Sequence, residues 1–420
     1  MRTNFNPSQL EDPQLAAAEA QLRACVHCGI CTATCPTYVL LGDELDGPRG
    51  RIQLIQHMLE TDATPSAKVV THIDRCLSCL ACVSACPSGV NYPRLIDKAR
   101  DHIERKATRP WPRRMLREML GRVLPRRDLL RPLLALGRFG ASFMWLLPNA
   151  LRAPARVAAR LPTPERGAPV PRVSRPNGKP IGRVALHLGC VQEVVAPRIT
   201  GAAIRVLVRH GYEVTTVEGT GCCGALNHHL GQTAEAHRHA KALVDDIVRH
   251  ESDGPFDAIV TTASGCGSVI RDMGFQLGGD DSAAAIGART RDITDLLRDV
   301  ALKSGGRAHR SVRVAYHAAC SLTHGMKQAA AAPQILRALG FDVVEPRDTL
   351  CCGSAGVYNV LEPDIADRLQ KRKAATLKQT APKFIATGNI GCLTQIAAAV
   401  DVPVVHPIEL IDWATGGTKP

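Results

Sequence analysis

Hydrophobic positions along this chain change their period from one stretch to the next. Ile52, Ile55 and Leu59 recur at helical spacing, and Leu95, Ile96, Ala99 and Ile103 repeat the pattern further on. Pro48, after Asp46 and Gly47, suits the first position of the earlier helix. Met115, Leu116, Met119, Leu120, Val123 and Leu124 form a third apolar stripe, flanked by Arg113, Arg114, Arg117 and Arg122. After residue 180 short β-rich runs alternate with helical segments, which implies parallel α/β sheets. The pattern therefore predicts a multi-domain α and α/β protein, helical at its amino end.

The α/β half is duplicated. RVALHLGC, ending at Cys190, matches RVAYHAAC, ending at Cys320, and VRHGYEV matches RALGFDV. Gly221-Cys222-Cys223-Gly224 matches Leu350-Cys351-Cys352-Gly353, and FDAIVTTASGC, ending at Cys266, matches PKFIATGNIGC, ending at Cys392. The ends agree too, DITDLL against HPIELI. Each half reads as strand, Cys turn, helix, strand, Cys-Cys-Gly turn, helix, and a strand ending in the fourth cysteine. Cysteines in loops after parallel strands can converge although they are far apart in sequence.

Composition narrows the class. The chain has 420 residues, 45% of them hydrophobic and only 4% aromatic, which excludes disorder and gives the length of about three domains. The net charge is +13, with 52 Lys and Arg against 39 Asp and Glu. Between Arg105 and Lys179 there are 18 basic and 3 acidic residues, so the excess belongs to that segment alone. Its helices fit an anionic membrane surface, an acidic partner subunit, or packing on the rest of the chain. Nucleic acid is not expected, because no stacking aromatics interleave the arginines. LPTPERGAPVPRVSRPNGKP, at its end, reads as a linker. The polar start, MRTNFNPSQLEDPQ, has no secretory pattern, and the longest apolar run, Phe139 to Leu151, is too short to span a bilayer. A cytoplasmic protein is expected, peripheral on the inner face of the cell membrane.

Sixteen cysteines in a reducing compartment point to metal ligation or redox chemistry, not to disulfides. Cys25 to Pro36 and Cys76 to Pro87 each read C-x2-C-x2-C-x3-C-P. Three closely spaced thiolates wrap one corner of an iron-sulfur cube, and the fourth, as in two-cluster ferredoxins, reaches the other cube. Cys25, Cys28, Cys31 and Cys86 are then expected to hold one [4Fe-4S] cluster, and Cys76, Cys79, Cys82 and Cys35 a second. Proline after each fourth cysteine is expected to stop the local helix. Arg23, His27, Arg49, Arg51 and Arg75 lie close enough in sequence to tune such clusters. A pair of zinc sites is the alternative, although zinc sites do not repeat three close cysteines and a proline.

Cys190, Cys222, Cys223 and Cys266, with Cys320, Cys351, Cys352 and Cys392, are candidate further metal or thiol sites. Four thiols per repeat suit zinc, an additional cluster or reactive thiols alike. His187 and His317 stand three residues before the first cysteine of each repeat, as ordinary strand histidines or as neighbours of the thiols. His228, His229, His237 and His239 read as a polar helix face. Gly219 to Gly224 matches a dinucleotide fingerprint, but the second repeat lacks two of its three glycines, which argues against a nucleotide. No catalytic base with a substrate pocket is evident.

RACVHCGICTATCPTY from Arg23, LLGDELDGPRGRI from Leu40, CLSCLACVSACPSGV from Cys76 and the two Cys-Cys-Gly repeats give the chain its resemblance. Over essentially its full length it resembles the iron-sulfur subunits of bacterial glycolate oxidases. The repeats are shared more widely, with heterodisulfide reductase, lactate-utilisation and anaerobic glycerol-3-phosphate dehydrogenase subunits. The resemblance implies an electron-transfer subunit of an oxidoreductase, beside flavoprotein subunits that oxidise glycolate to glyoxylate and a membrane quinone or other acceptor. It implies flavin on those partners and not here. Lactate or glycerol-3-phosphate oxidation, or a heterodisulfide-reductase-like thiol chemistry, are the alternatives. Where some wider relatives end the repeat in C-x2-C, this chain has Val269 and Gln395, which speaks against their non-cubane cluster. The expected division is 1–105 for a helical ferredoxin-like domain with two [4Fe-4S] clusters, 106–179 for basic helices and linker, and 180–302 and 311–416 for the tandem repeats.

Overall fold

The computed structural model describes residues 1–143, 145, 149–161, 169–219, 221–252, 254–302, 305 and 311–420. The amino-terminal part is helical: α1 (Pro13–Ala24), α2 (Pro36–Leu41), α3 (Pro48–Thr61), α4 (Ala67–Asp74), α5 (Ala81–Ser84) and α6 (Tyr92–Lys106). Asp12 caps α1 by accepting from the backbone N–H of Gln14 and Leu15. Leu15, Ala18 and Leu22 of α1 pack with Ile52, Ile55 and Leu59 of α3 and Leu95, Ile96, Ala99 and Ile103 of α6 in one core. Each such Leu or Ile contributes about 1.5–3 kcal/mol by leaving water. The helical stripes of the sequence thus become the inward faces. The short helix Ile30–Thr34 ends before Pro36, as expected, and Pro36 also opens α2 at the first helical position, where a missing N–H costs nothing.

The basic segment forms α7 (Trp111–Val123), α8 (Arg127–Ala141) and α9 (Asn149–Arg160). These helices pack on their own chain, with Leu130, Leu134 and Ala158 in the largest core. Several arginines are paired internally: Arg127 with Glu218 at 2.7 Å, Arg160 with Asp367 at 3.0 Å, and Arg113 with Glu362. Arg117 does not flank the stripe in solvent; it is buried, donating to the Leu230 carbonyl and facing Glu104. The apolar run from Phe139 to Leu151 and the expected linker lie partly outside the described residues. Within that linker β1 (Val173–Ser174) adds an antiparallel edge strand, so the segment is not only a connector. Among the described residues no helix is long and apolar enough to cross a membrane.

The repeats are two sheets of the same topology. The first uses β2 (Gly182–His187), α10 (Gln192–Val195), α11 (Arg198–Arg209), β3 (Tyr212–Val217), α12 (Ala225–His229), α13 (Thr233–His250) and β4 (Ala258–Thr261). It continues through α14 (Ser264–Ile270), α15 (Met273–Gln276), α16 (Asp281–Arg289), β5 (Thr290–Asp292) and α17 (Ile293–Arg298). The second uses β6 (Arg313–Tyr316), α18 (Ala331–Ala338), β7 (Asp342–Val344), α19 (Tyr358–Leu361), α20 (Pro363–Lys378), β8 (Phe384–Ala386), α21 (Ile390–Ala397), β9 (Val404–Val405) and α22 (Pro407–Ala414). Strand orders are β1-β3-β2-β4-β5 and β7-β6-β8-β9, parallel throughout except for β1. Two features differ from the sequence reading. Each repeat has a further parallel strand, β5 or β9, and the fourth cysteine sits on the helix after the third strand, Cys266 on α14 and Cys392 on α21.

Candidate metal centres

All sixteen cysteines are free thiols, and they gather where the sequence groups them, with one exchange. Cys25 ends α1, its N–H bonded to the Leu22 carbonyl. Gly29, at φ 79°, turns the chain so that Cys28 and Cys31 face back toward it. Cys25, Cys28 and Cys31 line one cavity with Cys86, which comes from the other motif. A second cavity is lined by Cys76, Cys79, Cys82 and, from the first motif, Cys35. Cys82 and Tyr92 border both, so the two cavities are adjacent. Left-handed Ser78 and Leu80, at φ 49° and 62°, coil the second motif around its cavity. Burial, and then the neighbouring thiols, push Cys79 and Cys82 well above the ordinary thiol range. Such thiols stay protonated until a cation among them displaces their protons, as a metal does on binding.

One cation is already there. Arg51 is 1% exposed and lines the second cavity. Its Nη1 donates to Cys35 Sγ at 3.7 Å, Nη2 to Thr37 Oγ1 at 3.0 Å and Nε to the His72 carbonyl at 2.7 Å. Burial disfavours its charge, but Cys76, Tyr92, Cys35 and Asp46 outweigh that and raise its pKa. Asp46 is itself held by His72 at 3.0 Å and Arg75 at 2.9 Å. Of the other candidates, Arg49 and His27 border the first cavity, whereas Arg23 is engaged by Glu19 and Thr3. Thr37, Asp46 and His72 were not legible as part of this site.

In each repeat the four thiols and a histidine converge. Cys190 follows β2, and its Sγ lies 3.8 Å from that of Cys222. His187, Cys223 and Cys266 bring ligand atoms within 4.8 Å of one another, and so do His317, Cys352 and Cys392. Nε2 of His317 is buried without a hydrogen-bond partner, and the buried His187 ring has at most the Val217 backbone as one. Burial, then Arg127, pushes His187 down to about 4, and burial, then Lys373, pushes His317 down to about 3, so both rings are neutral with a free lone pair. They are neighbours of the thiols and not ordinary strand histidines. The glycine of each Cys-Cys-Gly turn has one cause: at φ 88° a Cβ on Gly224 would lie 2.6 Å from the Ala236 carbonyl, and one on Gly353 2.7 Å from that of Ala366. Val269 and Gln395 fill the packed interior where a further thiol would stand. The expected histidine face is corrected as well: His228 and His229 are on α12, with His228 bonded to Asp97 at 3.0 Å, and only His237 and His239 are on α13.

The second repeat meets the amino-terminal part directly. Cys79 and Leu77 share an apolar cluster with Cys320, Cys351 and Tyr358. Tyr358 Oη donates to the Arg75 carbonyl at 3.0 Å, and Ser84 Oγ lies 2.7 Å from His324 Nδ1.

Residues 24–90 match the 4Fe-4S dicluster domain, and residues 184–271 and 314–397 each match the cysteine-rich domain. Fold and site define a two-cluster iron-sulfur electron-transfer protein with tandem cysteine-rich domains. The chain is 39% identical to the "Glycolate oxidase iron-sulfur subunit" of Escherichia coli, over 99% of both chains. It is 29% identical to the "Probable glycolate oxidase iron-sulfur subunit" of Bacillus subtilis, over 95% of both. "Lactate utilization protein A" of Oceanobacillus iheyensis is 25% identical over 55% of this chain and 96% of its own length. The chain belongs to the family of glycolate oxidase iron-sulfur subunits.

Proposed function

We propose that this chain is the electron conduit of a glycolate-oxidising complex, taking electrons from a flavoprotein subunit and delivering them to a quinone at the cytoplasmic face of the membrane. Hydride removal from a 2-hydroxy acid needs a flavin, which the partner supplies. When bound, a cubane cluster accepts and releases one electron at a time. Cys25, Cys28, Cys31 and Cys86 hold the first cluster, and Cys35, Cys76, Cys79 and Cys82 the second. The observation that carries this reading is the pair of adjacent four-thiol cavities, the second of them packed against Cys320 of the second repeat.

Surface features support the two ends of the route. Val26 and Ile30, 68% and 56% exposed, stand beside exposed Cys28 and offer an apolar patch where a partner subunit docks over the first centre. Leu136, Phe139 and Trp145 are exposed at the far end of the basic helices, among arginines, as an element lying on an anionic bilayer requires.

The test is Cys79→Ser in the assembled complex. Glycolate should still reduce the flavin, while transfer to an external quinone stops. Loss of flavin reduction with the complex intact would refute the conduit. Anaerobic iron analysis should return at least eight irons per chain.

A further inference from the structure

Between α8, α9 and the Cys-Cys-Gly loops lies a cavity of about 540 Å³, within the roughly 300–1,000 Å³ typical of small-molecule sites. Its wall is mainly apolar, with Leu120, Leu130, Leu133, Leu134 and Val157 prominent. All four thiols of the first repeat, Cys190, Cys222, Cys223 and Cys266, line it, and none of the second does. The duplicated scaffold therefore presents one thiol set to a cavity and the other to Cys79.

Two polar groups on the wall lack partners. Gln192 is 1% exposed; its Nε2 donates to Thr262 Oγ1 at 2.7 Å, but its Oε1 meets no donor. His229 Nδ1 is likewise unpaired. Leaving such a group unsatisfied costs about 1–3 kcal/mol, so an occupant that donates a hydroxyl to Gln192 Oε1 and sets a hydroxyl or carbonyl oxygen against His229 Nδ1 would be favoured. At the edge of the cavity Leu136 and Phe139 are 65% and 67% exposed, and Phe143 packs against Phe139 with the rings tilted and their centroids 5.3 Å apart. A ligand entering there passes Leu136 and Phe139 into a lining with no Arg, Lys, Asp or Glu among the described residues. A disulfide bearing carboxylates would lose its hydration against these leucines without compensation.

We propose that this cavity binds a lipid-soluble quinone and is where it is reduced, the ring lying beside the first-repeat thiols and the isoprenoid tail leaving past Leu136 and Phe139. The proposal rests on the acceptor reading above and adds the site. Two electrons from one oxidised 2-hydroxy acid, delivered singly, and two protons from water convert both ring carbonyls to hydroxyls, so quinone plus two electrons and two protons gives quinol. Gln192 Oε1 accepts from a hydroxyl of the quinol and so holds the product form, and His229 stands at the same wall.

The test uses the complex assembled with its flavoproteins and a photoactivatable azido-ubiquinone with a short tail. Label should fall on peptides of α8, α9 or residues 221–230, and unlabelled ubiquinone should compete it away. Leu133→Trp, which fills the cavity, should cut labelling and raise the KM for short-chain ubiquinone about tenfold. Leu129→Trp, on the same helix outside the cavity, should change neither. If Leu133→Trp does not assemble, competition of the label in the wild-type complex decides alone. Normal quinone reduction with label elsewhere, or Leu133→Trp kinetics equal to wild type, overturns the site and leaves the acceptor reading standing. A wild-type complex that reduces ferricyanide but no quinone overturns the acceptor reading itself.

Discussion

Arg51 gives the strongest quantitative handle on the second centre. A cluster gains one negative charge on reduction, so a buried cation beside it stabilises the reduced form and raises the midpoint potential. Arg51→Met removes that cation and should lower the potential. At the 3.7 Å between Nη1 and Cys35 Sγ, two unit charges at an effective dielectric of about 20 interact by ~4.5 kcal/mol. With roughly a quarter of the added charge on that one sulfur, the effect is about 1.1 kcal/mol, or about 50 mV for one electron. Charge on the remaining atoms adds to this and stronger screening subtracts from it, so about 50 mV sets the scale of the shift. Asp46 keeps His72 and Arg75 after the substitution, which limits the damage of unpairing a buried carboxylate. Spin-resonance redox titration of the purified complex, with iron content and melting temperature as checks on folding, should show one centre moved downward. Arg51→Lys should move it less, and the centre lined by Cys25, Cys28, Cys31 and Cys86 should scarcely move. An upward shift, or an equal shift of both centres, would refute the electrostatic assignment.

Two further predictions concern the frame around the centres. A Cβ on Gly50 would overlap the Glu44 carbonyl in the turn that packs on α3; Gly50→Ala should destabilise the protein by about 2 kcal/mol or more. Thermal unfolding reads this, and an unchanged melting temperature would show that the turn can shift freely. His228 is raised above 6.5: burial opposes its protonation, but Asp97 at 3.0 Å outweighs it. Its stabilisation is therefore complete below pH 6.5 and fades as pH rises through the raised value. The melting-temperature gap between wild type and His228→Gln should narrow from pH 6 to pH 9, and a gap that widens instead would reverse the sign of the pairing.

The gathering of the eight ferredoxin-type cysteines into two cavities was legible because their spacing is local and the exchange of the fourth cysteine is a property of the repeated motif. Self-comparison foretold two equivalent α/β units, and the sheets share one strand order. β5 and β9 escaped notice because three and two residues carry no periodicity. The helical position of Cys266 and Cys392 escaped for a related reason. Each lies in the first turn of a short helix, where the strand pattern has ended and a helical one has too few residues to register. Arg51 read as one of five basic residues able to tune a cluster, and nothing local singles it out, since only the fold closes Asp46, Thr37 and the His72 carbonyl around it. The cavity joins three separate segments and has no linear signature at all.

The divergence between the repeats becomes intelligible only with their different coverings. Counting from the paired cysteines, His229 in the first repeat corresponds to Tyr358 in the second. His229 lines the cavity with Nδ1 unpaired, while the Tyr358 hydroxyl is bonded to the Arg75 carbonyl beside the second ferredoxin-type centre. Gly221 corresponds to Leu350. At φ 88°, Gly221 takes a left-handed turn that favours glycine, close to the Pro125 carbonyl in the chain that leads into α8. Leu350 does not take that turn. The thiols, the buried strand histidines and the closing glycines are the same in both repeats because both must gather four sulfurs. The residues that differ are those that meet the neighbour: a cavity roof on one side and the cluster-bearing domain on the other. With the proposed quinone site, one duplicated scaffold would receive an electron in a packed contact at one copy and pass it to a proton-taking ligand at the other.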